Sequence, residues 1–323
     1  MSETRRDVLH ALETGPVSGP TLARELDLSR AAVWNHVEAL RDAGFEIVSS
    51  EDGYLVTDYP AYGGLAVECG LEAPFTVEYH DQLESTNQRG RELARAGETD
   101  VAVLAGTQTD GRGRLDRAWD SPPGGIWMSL VIRPDVPPAR IGLLTLAGAV
   151  AVTRAAREAG VDARIKWPND VLVPTASSES TGESATVPAR GGQKLAGILT
   201  ELGGEADQTA WVVLGMGVNA RNDPESLPSG STSLMAHTDS LDRRLFVQRV
   251  LELFDHIRAQ PDEIPEAYRA HSDTLGRRVR IDTPDEPVVG TALDVTETGA
   301  LRLDTDTDVR TIHAGDCEHL RPD

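Results

Sequence analysis

Three short stretches of helical apolar spacing open the chain, and two short alternating stretches follow them. The second helix is expected over residues 18–26. The third starts on Ser29, a residue type suited to a helix N-cap. It sets Val33, Val37 and Leu40 on one face and stops at Gly44. The Asp27-Leu28 turn between them has helix-turn-helix spacing. Residues 45–47 and 54–56 then alternate about a polar tip, Ser49 to Gly53, as a β-hairpin does. Residues 1–60 therefore read as a winged helix-turn-helix module or, more blandly, as a small helical cap or dimerisation domain.

Residues 58–74, with Pro60, Gly63, Gly64 and Gly70, read as a linker holding one helical turn. Over 74–273 strands and helices alternate. Strands are expected at 75–79, 101–106, 126–132, 165–167, 195–202 and 211–218, and helices at 86–96, 139–159, 243–259 and 264–270. This is an α+β pattern with one large mixed sheet. Residues 174–193 are small, polar and low in complexity, and read as a disordered insertion in a strand-to-strand turn. From 275 to 323 short strands at 278–281, 288–294, 300–303 and 309–313 predict a small SH3-like β-barrel.

Composition narrows the classes. The 323 residues carry 31 Lys+Arg against 52 Asp+Glu, a net charge of −21, which argues against a coat for nucleic acid or anionic membrane. Only Lys166 and Lys194 are lysines; the other 29 cations are arginine. An acidic, lysine-poor surface suits a halophilic cytoplasm with concentrated salt, and a GC-rich coding bias produces the same shift. Cys69 and Cys317 are too few and too far apart for a disulfide framework or a metal site. Residues 1–6 lack an apolar signal region, and the apolar stretch 141–156 is too short to span a bilayer, so a cytoplasmic location is expected.

Three segments carry candidate chemistry. Residues 108–119, Gln-Thr-Asp-Gly-Arg-Gly-Arg-Leu-Asp-Arg-Ala-Trp, join two apolar strands. Gly111 and Gly113 allow close backbone approach to a ligand, and Arg112, Arg114 and Arg117 suit phosphate or carboxylate oxygens. The spacing fits neither a P-loop nor a dinucleotide fingerprint. In Lys166-Trp-Pro-Asn-Asp170 a lysine among apolar neighbours needs an anion, whether a ligand or a structural carboxylate such as Asp170. Lys194 opens the next strand, where Gly197 marks close approach. Ser85-Thr-Asn87 starts a helix, with Ser85 or Thr86 as its N-cap. Gly215 and Gly217, ahead of Asn219, admit a flat ring or backbone nearby, or simply end a crowded strand.

In this order, behind a winged helix and ahead of a small β-domain, these motifs resemble the bifunctional biotin protein ligase and biotin-operon repressor family. The resemblance covers nearly the whole chain. It implies ATP-dependent, Mg2+-requiring formation of biotinyl-5′-AMP and transfer of biotin to a lysine of a biotin carboxyl carrier protein. It places Ser85, Thr86, Asn87, Gln108, Arg112, Gly113, Arg114, Lys166 and Gly197 at biotin. It places Arg114, Arg117, Trp119, Lys166, Asn169, Lys194 and Asn219 at ATP, with Lys166, Arg114 and Arg112 as the catalytic set and no resident metal. The water-labile adenylate requires a lid, expected over 108–125. The family loop commonly has glycine where this chain has Asp116, and an aspartate there must point away or pair with Arg114 or Arg117.

The resemblance also implies operator DNA as a partner, with biotinyl-5′-AMP as corepressor and a homodimer as the binding form. Ser29, Arg30, Asn35 and His36 are then the candidate DNA contacts, and Arg30 with Arg41 the candidate positive stripe. Residues 1–60 nevertheless hold five arginines and eleven acids. A winged-helix sensor without ligase activity and a lipoate or octanoyl transferase of the same fold are the competing readings.

Overall fold

The computed structural model describes residues 3–13, 15–175, 191–205 and 208–320. Residues 176–190, most of the expected insertion, lie outside the described residues. The chain divides into two compact units, Met1–Glu72 with Asp242–Gln248, and Ala73–Leu241 with Arg249–Asp323.

The first unit holds α1 (Glu3–Glu13), α2 (Gly19–Glu25), α3 (Arg30–Asp42), the antiparallel hairpin β1 (Glu46–Ser50) and β2 (Gly53–Asp58), and α4 (Gly64–Glu68). Ser18 and Ser29 each accept a backbone N–H of the following turn, which fixes where α2 and α3 begin. Val33, Val37 and Leu40 bury one face of α3 against Leu9, Leu12 and Leu22. Leu65, Ala66 and Cys69 join the same core, so the segment read as a linker belongs to this unit. Gly53 cannot carry a side chain, because a Cβ would stand 2.3 Å from the Val17 carbonyl.

The second unit is built on a seven-stranded mixed sheet. In chain order its elements are β3 (Thr76–Leu83), α5 (Thr86–Ala96), β4 (Val101–Gln108), β5 (Ile126–Ile132), α6 (Gly142–Glu158), β6 (Arg164–Lys166), β7 (Asp170–Val173), β8 (Gln193–Glu205) and β9 (Gln208–Val218). The spatial order is β3-β4-β5-β9-β8-β7-β6, parallel only between β3 and β4. The four-residue β7, one acid followed by three buried apolar residues, was not expected as a strand. It exists because it pairs with both β6 and β8.

With the 3-10 turn ahead of it, α6 extends the helical stretch to Pro138–Glu158, 21 residues. That is longer than the apolar stretch suggested, and long and apolar enough to cross a membrane by composition. It is a core helix instead: Val150, Ala151 and Val152 are fully buried, and Gly148 lets it approach Leu214 and Met216. Helices α7 (Arg243–Arg258) and α8 (Ile264–Arg269) follow.

The C-terminal strands are β10 (Arg278–Asp282), β11 (Val288–Val295), β12 (Leu301–Asp304), β13 (Val309–Ile312) and β14 (Asp316–His319). They form one antiparallel sheet in the order β13-β12-β11-β10-β14. β13 and β14 are its two edges, so among the described residues the sheet is open where a closed barrel was expected. The fifth strand, β14, had no sequence signal because Cys317 is its single apolar residue.

Candidate active site

The second unit contains a cavity of about 410 Å³, a volume suited to a small ligand. The residues expected around biotin and ATP all line it, from the α5 start, the 108–121 loop, the β6–β7 turn and the facing glycines of β8 and β9.

One end is a buried polar cluster. Ser85 caps α5 through a weak 3.4 Å bond from the Gln88 N–H, and the next two residues turn inward. The Thr86 backbone N–H and hydroxyl both donate to Gln108 Oε1, at 2.7 and 3.0 Å. Ser129 Oγ lies 2.7 Å from Thr86 Oγ1 and 2.6 Å from Asn87 Oδ1. Asn87 Nδ2 donates to Glu201 Oε2 at 2.6 Å, and Glu201 pairs with Arg91. Sequence reasoning passed over Ser129, although a lone hydroxyl inside the otherwise apolar β5 was its signal. Gly215 admits no flat ring: a Cβ there would stand 2.2 Å from Asn87 Oδ1, so its bareness makes room for Asn87.

The loop folds back on itself as an irregular hairpin. Gly113 N–H donates to Arg117 O, Trp119 N–H to Gly111 O and Gln108 N–H to Ser121 O, at 2.7, 2.8 and 3.2 Å. A Cβ on Gly111 would lie 2.4 Å from Trp119 O, so that glycine permits close approach within the loop rather than to a ligand. Leu115 and Asp116 at the tip are both left-handed, with φ of 55° and 54°. Glycine is the easy residue there and aspartate one of the tolerated ones. The Asp116 side chain is 92% exposed, 3.7 Å from Arg112 rather than paired with Arg114 or Arg117. Arg112 itself bonds Asp110 Oδ2 at 2.8 Å, and that bond raises its already high pKa.

Arg114 and Arg117 turn the other way, onto the C-terminal sheet. Arg114 donates to Asn169 Oδ1 and to Gly315 O, each at 2.9 Å, and Arg117 meets Asp316 Oδ2 at 2.5 Å. Asn169 is held by donating to Ile198 O at 2.8 Å. The 108–121 loop is thus fastened to segments far away in sequence.

The Trp119 indole lies on a floor made by Gly197 and Gly217, which face each other across β8 and β9. A Cβ would stand 2.9 Å from the ring at Gly197 and 2.6 Å from Nε1 at Gly217. The flat ring these glycines admit is therefore Trp119. Lys194 Nζ sits 4.9 Å from the ring centroid and 2.6 Å from Asp170 Oδ1. Asp170, the structural carboxylate considered for Lys166, is occupied by Lys194 instead. Asn219 Nδ2 reaches the Lys194 carbonyl at 3.4 Å.

Lys166 is 6% exposed at the end of β6. Close to it, burial pushes the Cys317 thiol up to about 12, against the pull of the ammonium. Burial, then the charges of Lys166 and Arg277, push the His319 imidazole down to about 3. Neutral His319 bonds Thr274 Oγ1 at 3.0 Å, and Thr274 Oγ1 accepts the Trp167 N–H at 3.0 Å, beside the lysine. Asp316, Cys317 and Glu318 all line the cavity, and no sequence signal singled them out.

In the first unit, the Ser29 hydroxyl caps α3 by accepting the Ala32 N–H at 3.1 Å. Arg30 and Asn35 are exposed, His36 is half-buried, and Trp34 stands 55% exposed on the same helix. Arg41 is not part of a free positive stripe. It donates to Ile47 O at 2.6 and 2.9 Å and pairs with Glu38, tying β1 to α3.

Three family models match: "Biotin/lipoate A/B protein ligase family" over residues 79–219, "Biotin protein ligase C terminal domain" over 274–320, and "HTH domain" over 4–55. The "Bifunctional ligase/repressor BirA" of Bacillus subtilis is 33% identical over 322 residues, covering 94% of this chain and 93% of that one. The "Biotin--[acetyl-CoA-carboxylase] ligase" of Mycobacterium tuberculosis is 36% identical, covering 68% of this chain and 79% of its own length. Among solved structures, the biotin protein ligase from Aquifex aeolicus in complex with biotin and ATP shares the fold, with a TM-score of 0.61 at 23% identity over 76% of this chain and 99% of that one.

Proposed function

The chain belongs to the bifunctional biotin protein ligase/repressor family, and from that premise we propose that it activates biotin with ATP, biotinylates a carrier protein and represses transcription. The observation that carries the ligase reading is one cavity in which a neutral hydrogen-bonding end runs on to Lys166, Lys194 and Arg114. The neutral end suits an uncharged polar ring, and the cationic part suits a carboxylate and a triphosphate.

In the first step a biotin carboxylate oxygen attacks the α-phosphorus. The bond between the α-phosphorus and its bridging oxygen breaks, and pyrophosphate leaves with the electron pair. Two anions must meet, so a buried compact charge between them lowers the barrier most, and Lys166 fills that place. Arg114 and Arg117 bind phosphate oxygens, and Trp119, whose buried Nε1 has no acceptor among the described residues, lies beside the nucleotide. In the second step the carrier lysine amine attacks the acyl carbon, AMP leaves, and the proton passes to solvent. The pinned 108–121 hairpin keeps water away in between. Mg2+ would enter with the triphosphate and would offset charge on its oxygens. Lys166→Ala should lower biotin-dependent ATP–pyrophosphate exchange by about 100-fold or more. Wild-type exchange in that variant overturns the role.

The exposed face of α3 with Arg30 and Asn35 supports operator binding by a biotinyl-5′-AMP-bound homodimer. The acidic balance and the tied-down Arg41 make that interface rest on few cations. A gel shift on the gene's upstream DNA in concentrated potassium, with and without biotin and ATP, tests it; no shift in either condition removes the repressor role. The acidic, lysine-poor surface supports a cytoplasmic protein working in concentrated salt.

A further inference from the structure

The polar end of the cavity is one proton short. The Thr86 hydroxyl proton is committed to Gln108 Oε1, so Thr86 Oγ1 can only accept. Gln108 is fixed in that sense because its Nε2 donates to Ser121 Oγ at 2.8 Å. Asn87 is fixed as well. The Glu201 carboxylate offers only acceptors, so the Asn87 NH2 faces Glu201 and Oδ1 faces the cavity side. Arg91, one helical turn beyond Asn87 on α5, holds Glu201 in place. Two acceptors, Thr86 Oγ1 and Asn87 Oδ1, then share the single proton of Ser129. At any moment one buried oxygen lacks a donor, which a bound ligand is favoured to supply.

We propose that Glu201 and Arg91 are positioning residues that hold Asn87 Oδ1 as an acceptor beside Thr86 Oγ1, with Ser129 as their shared internal donor, so that the site selects a ligand head bearing N–H donors. A cyclic urea brings two such donors; a dithiolane or alkyl head brings none. The inference rests on the ligase reading and adds to it the residues that set the choice between biotin and a lipoyl or octanoyl acid.

The test pairs a change in the ligand with a change in the protein. Biotin and biotin methylated on a ureido nitrogen are compared in ATP–pyrophosphate exchange with unmodified enzyme, Glu201→Gln and Ser129→Ala. Each variant is checked for an unchanged melting midpoint. Unmodified enzyme should show a KM about tenfold higher or more for at least one methylated isomer. Glu201→Gln, which lets the Asn87 amide turn over, should bring that ratio to within about twofold while the KM for ATP stays put. Ser129→Ala frees both acceptors and should keep the full ratio, whereas a general loosening lowers it in both variants. No discrimination by the unmodified enzyme, an unchanged ratio in Glu201→Gln, or a lost ratio in Ser129→Ala overturns the assignment. If unmodified enzyme shows no biotin-dependent exchange at all, the ligase reading falls first and this inference with it.

Discussion

Arg114→Gly is the perturbation whose size the structure sets most directly. Arg114 joins the loop to two distant segments through 2.9 Å bonds to Asn169 Oδ1 and Gly315 O, and it lies 3.8 Å from Asp316. A charge-assisted hydrogen bond contributes about 1.5–3 kcal/mol when buried. With the side chain 25% exposed, solvent screening brings each down to about 1 kcal/mol. Losing both bonds and the longer ion pair removes about 2–3 kcal/mol that favours the closed loop. At 1.4 kcal/mol per tenfold change, the open fraction rises by about 30- to 150-fold. Adenylate formed on the enzyme should then escape sooner. The assay separates protein-bound from free biotinyl-5′-AMP by rapid gel filtration and follows label on a bystander protein such as serum albumin. If the variant retains the adenylate as long as the unmodified enzyme does, Arg114 is not the fastener of the lid.

Gly217→Ala puts a methyl group 2.6 Å from Trp119 Nε1, so the ring must lift off its floor. The KM for ATP should rise by about tenfold with the KM for biotin little changed, since one misplaced contact is worth about 1–2 kcal/mol; equal KM values for ATP would sink this placement of the indole. His319 titrates near 3 in the folded protein and near 6.5 when unfolded, so the unfolded chain takes up the proton first. Its stabilising contribution is complete above about pH 6.5 and drains away as the pH falls towards 3, by up to about 1.4 kcal/mol per pH unit. Urea midpoints at pH 7 and pH 5 should therefore differ less in His319→Gln than in the unmodified protein, and parallel losses in both would refute it.

Much of the site could be read because unusual residues mark it. Lysines in a chain that otherwise uses arginine, and glycines inside apolar strands at 197, 215 and 217, announce crowded or charged places. The winged module was legible because Ser29, Val33, Val37 and Leu40 carry both the cap and the buried face. Pairings across long sequence separations were not legible. Glu201 looked like one acid among fifty-two, and only the fold brings it to Asn87. Asp170 was weighed only as a partner for Lys166, and the register of β7 on β8 brings Lys194 to it. Asp316 to His319 lacked apolar alternation, so neither the strand nor its place at the cavity wall showed in the sequence.

Both lysines of this protein lie in one cavity, Lys166 almost buried and Lys194 with its side chain 18% exposed against Asp170. An acyl-adenylate that leaks from its enzyme acylates whatever amines it meets first, and the nearest protein surface is the enzyme's own. Here that surface is furnished with guanidinium groups, which do not form such amides readily. The protein therefore offers few side-chain amines for self-biotinylation, and label from a leaking variant should favour lysine-rich neighbours.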